Sequence, residues 1–197
     1  MAMQKPVPRV VVFAGPNGAG KSTHADAILA GLGIPTFVNA DFIARGLSGR
    51  NTDAVAMEAG RIMLTRLRQL ADTGADFGFE STLSSRSFAP FLRSLKAKGY
   101  QVAIYYFSLP NAQLAVRRVK LRVSLGGHNV PTDVVLRRFT RSLHNFFSLY
   151  APLADAWTLF DNASEAQAQA VAAQLGNQLT IFDSPKWQKL QKLNPPV

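Results

Sequence analysis

The feature that most constrains this chain is a nine-residue loop, Gly15-Pro16-Asn17-Gly18-Ala19-Gly20-Lys21-Ser22-Thr23, set directly behind the apolar run Arg9-Val10-Val11-Val12-Phe13-Ala14. Its spacing is G-x-x-x-x-G-K-[ST]. Glycines at those positions let backbone N–H groups curl around phosphate oxygens, the lysine reaches the outer phosphates, and the Ser22 hydroxyl faces a magnesium ion. At ordinary residue frequencies a random window matches with probability about 3 in 100,000, or roughly 0.6% over a chain of this length. The flanks agree with the loop: a β-branched run precedes it, and the segment from Lys21 reads as a helix whose N-terminus favours anions.

A phosphate loop alone does not name a reaction, because kinases, GTPases, ATPases and sulfotransferases share it. It does fix the surrounding architecture. Apolar, β-rich runs recur at 10–14, 36–39, 77–79, 102–109 and 156–160, and amphipathic segments at 21–32, 53–72, 86–98, 111–125, 133–149 and 164–175 alternate with them. That alternation predicts an α/β chain of the P-loop NTPase type, a three-layer sandwich whose mostly parallel sheet is flanked by helices. In 53–72 the residues Val55, Ala59, Ile62, Met63 and Leu70 fall near one face and read as core. Gly74 and Gly99 stand where helices should stop. The tail from Ser184 reads as a short basic helix with serine as cap and Pro185 at its first position.

At 197 residues and 47% hydrophobic content the chain can build one well-buried core, so a single domain over 1–197 is expected. No apolar run approaches bilayer length, and the N-terminus lacks signal-peptide regions, so no membrane partner is expected. Cysteine is absent, which excludes disulfides, thiol catalysis and thiolate metal sites and fits a reducing cytoplasm. The net charge of +10 is spread over several helices, with one concentration between Arg117 and Arg141. Spread charge is usually a solvated face, and a nucleoside phosphate needs cations at the mouth of its site, so nucleic acid ranks below phosphoryl transfer as a reading of that charge.

The acceptor of such a transfer sits beyond the C-terminal strand edge, so polar residues at strand ends are the candidates. Asp41, closing Thr36-Phe37-Val38-Asn39-Ala40-Asp41, could take a proton from an attacking hydroxyl or could cap the short helix that follows. Glu80, followed by Ser81 and Thr82, could hydrogen-bond a polyhydroxylated acceptor, join the magnesium shell, or cap a helix. From Asn111 to Ser142 two basic helices flank Gly126-Gly127, giving a lid at about 111–142. Arginines brought in by such a hairpin neutralise charge on the transferred group, and Arg122 and Arg138 are the leading choices. His128 fits a phosphate or acceptor contact within the lid or a solvent position. Zinc is disfavoured, since His24 and His144 show no ligand spacing.

The combination of Gly-Pro-Asn-Gly-Ala-Gly-Lys-Ser-Thr, Asn39-Ala-Asp41, Phe79-Glu-Ser-Thr-Leu-Ser84 and Gly126-Gly-His-Asn-Val-Pro resembles the zeta toxin family of P-loop kinases over roughly residues 9–162. Zeta toxins phosphorylate the 3'-hydroxyl of UDP-N-acetylglucosamine with ATP or GTP and are held inactive by an epsilon antitoxin. The resemblance implies phosphoryl transfer to a hydroxyl, with Asp41 matching the family's base, Lys21 its phosphate lysine and Arg122 its first lid arginine. Glu80 and Thr82 match acceptor-binding residues, with Asn39 beside them. This chain has His128 where those toxins carry a second lid arginine, so either Arg137 or Arg138 supplies that charge or stabilisation of the transition state differs. The readings set against a magnesium-dependent kinase are an inactive nucleotide-binding regulatory module and a nucleic-acid 5'-hydroxyl kinase.

Overall fold

The computed structural model describes residues 6–49, 51–127, 129–164 and 167–193. Its chain order is β1 (Arg9–Ala14), α1 (Lys21–Leu32), β2 (Phe37–Val38), α2 (Ala40–Ser48), α3 (Ala56–Thr73), β3 (Phe77–Ser81), α4 (Phe88–Ala97), β4 (Gln101–Ser108), α5 (Ala112–Ser124), α6 (Thr132–Asn145), β5 (Ala156–Asp161), β6 (Gln169–Leu175), β7 (Gln178–Ile181) and α7 (Ser184–Lys192). A π-helical turn over Phe146–Tyr150 continues α6 towards β5.

The strands form one sheet in the order β2-β3-β1-β4-β5-β6-β7. The first five are parallel, so their C-terminal ends share one edge of the sheet. Alternation along β1 sends its residues to opposite faces. Val10, Val12 and Ala14 join a core with residues of α3, α4, the end of α6 and α7, while Val11 and Phe13 pack with α1, α5 and α6. A sheet buried on both faces explains why β1 reads as a continuous apolar run rather than an alternating one.

Three readings of the sequence need correction. Segment 164–175 was expected to be helical, and its described part is the strand β6, paired antiparallel with β5 and then with β7. An exposed β5 edge beside it offers a full ladder of backbone partners and a buried place for Val171 and Ala172, which outweighs the helix preference of an Ala- and Gln-rich stretch. At the tail, Asp183 rather than Ser184 is the cap, its carboxylate accepting from the Lys186 backbone N–H at 3.0 Å. Ser184 and Pro185 follow as the first two helical residues.

α7 then closes the far end of the sheet. Trp187 stacks on Trp157 of β5 with ring centres 6.0 Å apart and meets Phe147 edge-on at 5.6 Å. Within α3 the buried stripe is Ala59, Met63, Leu67, Leu70 and Ala71, and Ile62, expected in it, is exposed. No helix among the described residues is long and apolar enough to cross a membrane.

Candidate active site

The parallel order brings the ends of β1, β2, β3 and β5 to one edge, and the polar residues there face one another. The phosphate loop leaves β1 through Gly15, whose φ of +134° and close fit exclude a side chain: an added Cβ would lie 2.2 Å from the Phe107 carbonyl oxygen. Gly18 is packed against α5, with an added Cβ 2.8 Å from the Ala115 carbonyl oxygen. The lid hairpin is thus seated directly on the loop. α1 starts at Lys21 behind Gly20, which supplies no side-chain cap, so its first N–H groups face the loop as an anion site.

Lys21 is only 5% exposed. Its Nζ donates to the Pro16 carbonyl oxygen at 3.1 Å and lies 3.4 Å from Glu80 Oε1. The Ser22 hydroxyl donates to Glu80 Oε2 at 2.5 Å. Asn39 Nδ2 donates to the same oxygen at 2.9 Å and reaches Ser22 Oγ at 3.5 Å, while its Oδ1 accepts from the Asp41 N–H at 2.7 Å. The cap of α2 is therefore Asn39, which leaves the Asp41 carboxylate in the first turn and outside the capping role. Arg122 approaches Asp41 at 3.7 Å.

Two cavities meet on these residues. One, of about 410 Å³, runs over the phosphate loop past Ser22, Thr23, Arg118 and Asn162. The other, of about 430 Å³, lies between α3 and the end of β3 and is lined by Asn17, Asn39, Met57, Thr82, Phe88 and Arg138 among others. Gly18, Lys21, Asp41, Glu80 and Arg122 line both. Arg138 faces only the second; burial pushes its guanidinium below its ordinary value, Arg137 adds to that, and the Asp41 charge opposes it. Thr82 hydrogen-bonds Ser84 at 2.8 Å on a loop where Leu83 adopts a φ of +49°. Ala19 is buried, and its carbonyl accepts from Asn162. His128 lies outside the described residues.

Magnesium was expected at Ser22. The Ser22 hydroxyl and the Glu80 carboxylate form a compact pair of hard oxygen donors beside the phosphate loop. Among the described residues no cluster of three or more His, Cys, Asp or Glu forms a protein cage. That donor set fits magnesium, which binds through one or two protein oxygens and completes its shell with phosphate and water.

Two positions weigh more in the structure than in the sequence. Arg118 donates to the carbonyls of Asn162 at 2.8 Å and Ala163 at 3.0 Å, and Asn162 Nδ2 donates to the Ala19 carbonyl at 2.9 Å, so lid, loop and β5 end are stitched together. The signal for Asn162 was present, since it follows an apolar strand as Asp41 and Glu80 do.

Among solved structures, the chain is similar to AvrRxo1-ORF1:-ORF2 with ATP at a TM-score of 0.78 and 18% identity, covering 98% of this chain and 66% of that one. It is also similar to a structure from the PezAT chromosomal toxin-antitoxin system of Streptococcus pneumoniae, at a TM-score of 0.62 and 16% identity over 97% of this chain and 79% of that one. An uncharacterized protein of Haemophilus influenzae is 27% identical over 135 residues, 66% of this chain and 92% of its own. The zeta toxin family model matches residues 2–168, the stretch that holds the phosphate loop, Asp41, Glu80 and the lid, and the chain accordingly belongs to the zeta toxin family.

Proposed function

We propose that the protein is a magnesium-dependent kinase that transfers the γ-phosphate of ATP or GTP to a hydroxyl of a small acceptor, with UDP-N-acetylglucosamine as the first acceptor to test. The observation that carries the reading is the pair of adjoining cavities floored by Lys21, Asp41, Glu80 and Arg122. A donor in one and an acceptor in the other would meet at those side chains. Family membership and a fold shared with a structure determined with ATP support it.

In this reading the triphosphate lies on the loop amides, and Lys21 exchanges Pro16 and Glu80 for phosphate oxygens. Ser22 and Glu80 would hold magnesium, which when bound neutralises charge on the β- and γ-phosphates. Asp41 accepts the proton of the acceptor hydroxyl as its oxygen bonds to the γ-phosphorus and the bond to the β-phosphate oxygen breaks. Arg122 and Arg138 offset charge on the transferred group, and Thr82, which lines the second cavity, hydrogen-bonds the acceptor. An antitoxin protein is the expected macromolecular partner.

The test is incubation with ATP or GTP, magnesium and UDP-N-acetylglucosamine, beside panels of nucleosides, amino sugars and 5'-hydroxyl oligonucleotides, read by mass spectrometry. Phosphorylation of a sugar or nucleoside that falls at least about 100-fold in Asp41→Asn supports the reading. Exclusive phosphorylation of the oligonucleotide replaces it with a nucleic-acid kinase, and no acceptor at all, with ATP turnover indifferent to Asp41→Asn, sinks it.

A further inference from the structure

Four residue types are good helix N-caps, Asn, Asp and Ser about equally and Thr slightly less, because capping needs only a side-chain oxygen that accepts from the first turn. Position 39 uses that capacity and something more. The Asn39 Oδ1 accepts from the Asp41 N–H, and the same side chain turns its Nδ2 to Glu80 and Ser22. The orientation of the amide is forced: the Asp41 N–H can only donate and the Glu80 carboxylate can only accept, so the flipped amide would lose both bonds. Of the four capping types, only asparagine offers a donor at the other end. Aspartate would set a carboxylate against a carboxylate, and serine or threonine would stop short with a single hydroxyl.

Resting on the kinase reading above, we propose that Asn39 is a positioning residue that couples the magnesium side of the site to the base side. One end orients the Glu80 carboxylate that the Ser22 hydroxyl also binds, and the other fixes the turn of α2 that carries Asp41. Buried at 4% exposure, the amide has little freedom to serve either end alone. Asn39 and Ser22 thereby hold one Glu80 oxygen, which stays oriented when Lys21 leaves the other for phosphate. A shift of β2 against β3 would therefore be felt at both reacting ends.

The variant Asn39→Ser separates the two roles, since it keeps a cap and removes the amide donor. Nucleotide affinity is measured by calorimetry with ATP in the presence and absence of magnesium, alongside thermal unfolding and basal ATP hydrolysis. The expected result is an unfolding midpoint close to the wild type, unchanged affinity without magnesium, and a loss of roughly ten-fold or more in the magnesium-dependent gain in affinity, as for other groups that orient metal ligands. Asn39→Thr, also a capping residue, should give the same pattern and stands in if the serine variant does not fold. A magnesium titration of either variant that overlays the wild type overturns the proposal and leaves Asn39 a cap. If the wild type itself binds no nucleotide under either condition, the kinase reading falls and takes the proposal with it.

Discussion

The Arg122 guanidinium lies 3.7 Å from the Asp41 carboxylate, linking α5 of the lid hairpin to the first turn of α2. Both side chains are more than a third exposed, 38% and 44%, and an ion pair of that kind contributes only about 0–1 kcal/mol to stability. Folding therefore gains little from their juxtaposition, and under the proposed kinase function its role is in the transfer step. Arg122→Ala is expected to lower turnover by about 1,000-fold, in line with other arginines that stabilise a transferring phosphoryl group, and to leave the unfolding midpoint within a few degrees. Steady-state kinetics and a thermal scan on the same preparation check both halves.

Gly15→Ala tests the opposite balance. The new Cβ would fall 2.2 Å from a backbone oxygen of β4, and the residue's φ of +134° is strained for any L side chain. Backbone in the centre of a sheet cannot step aside, so the loss should be about 3 kcal/mol or more, read from the midpoint of a urea unfolding curve.

A buried relay from β4 through α6 to the loop after β3 yields an asymmetric expectation. Ser142 Oγ donates to the Thr82 carbonyl at 2.5 Å, so the Tyr106 hydroxyl, 2.9 Å away, must be the donor to Ser142. Removing the Tyr106 hydroxyl by Tyr106→Phe leaves Ser142 with its carbonyl partner and should cost about 1 kcal/mol. Ser142→Ala strips the acceptor from a fully buried phenol and the donor from Thr82, and should cost about 2–3 kcal/mol. Equal losses in denaturant unfolding would contradict that proton order.

Much of this arrangement was legible in the sequence because strong local signals and the global fold agreed. The phosphate loop, the five parallel strands and the helices between them follow from periodicity and glycine spacing, and the strand-end and lid positions singled out Asp41, Glu80 and Arg122, which line the same two cavities. What was hidden depended on contacts between segments distant in the chain. Segment 164–175 carries helix-forming residues, and only the open edge of β5 makes a strand of its described part. Its partner β7 was announced by the Gly176-Asn177 pair between two apolar stretches, a hairpin signal that the helix reading masked. The cap of α2, a role the sequence offered to Asp41, went to Asn39, whose amide is also held by Glu80 41 residues away.

Asp155 supplies a pH dependence. Partial burial works against its ionisation, but hydrogen bonds from Lys96 Nζ at 2.6 Å and the Val102 N–H at 2.8 Å, with the Lys96 charge, outweigh it and hold the carboxyl below its ordinary value. A carboxylate depressed in the folded state stabilises above its unfolded value of about 3.9, and the contribution is lost as pH falls through the folded value. At 42% exposure, solvent screening limits the contribution to about 1 kcal/mol. The stability gap between wild type and Asp155→Asn should stay constant from about pH 8 to pH 5 and close below about pH 4, as read by chemical unfolding across that range.

The match to the zeta toxin family ends at residue 168, whereas β6, β7 and α7 begin after it. Those elements occupy the outer side of β5, and the Trp187 ring covers Trp157. Expression of 1–168 alone would leave a bare parallel strand and an uncovered indole, the kind of edge through which chains pair with one another and come out of solution. The end of the family match is therefore the wrong place to cut the gene.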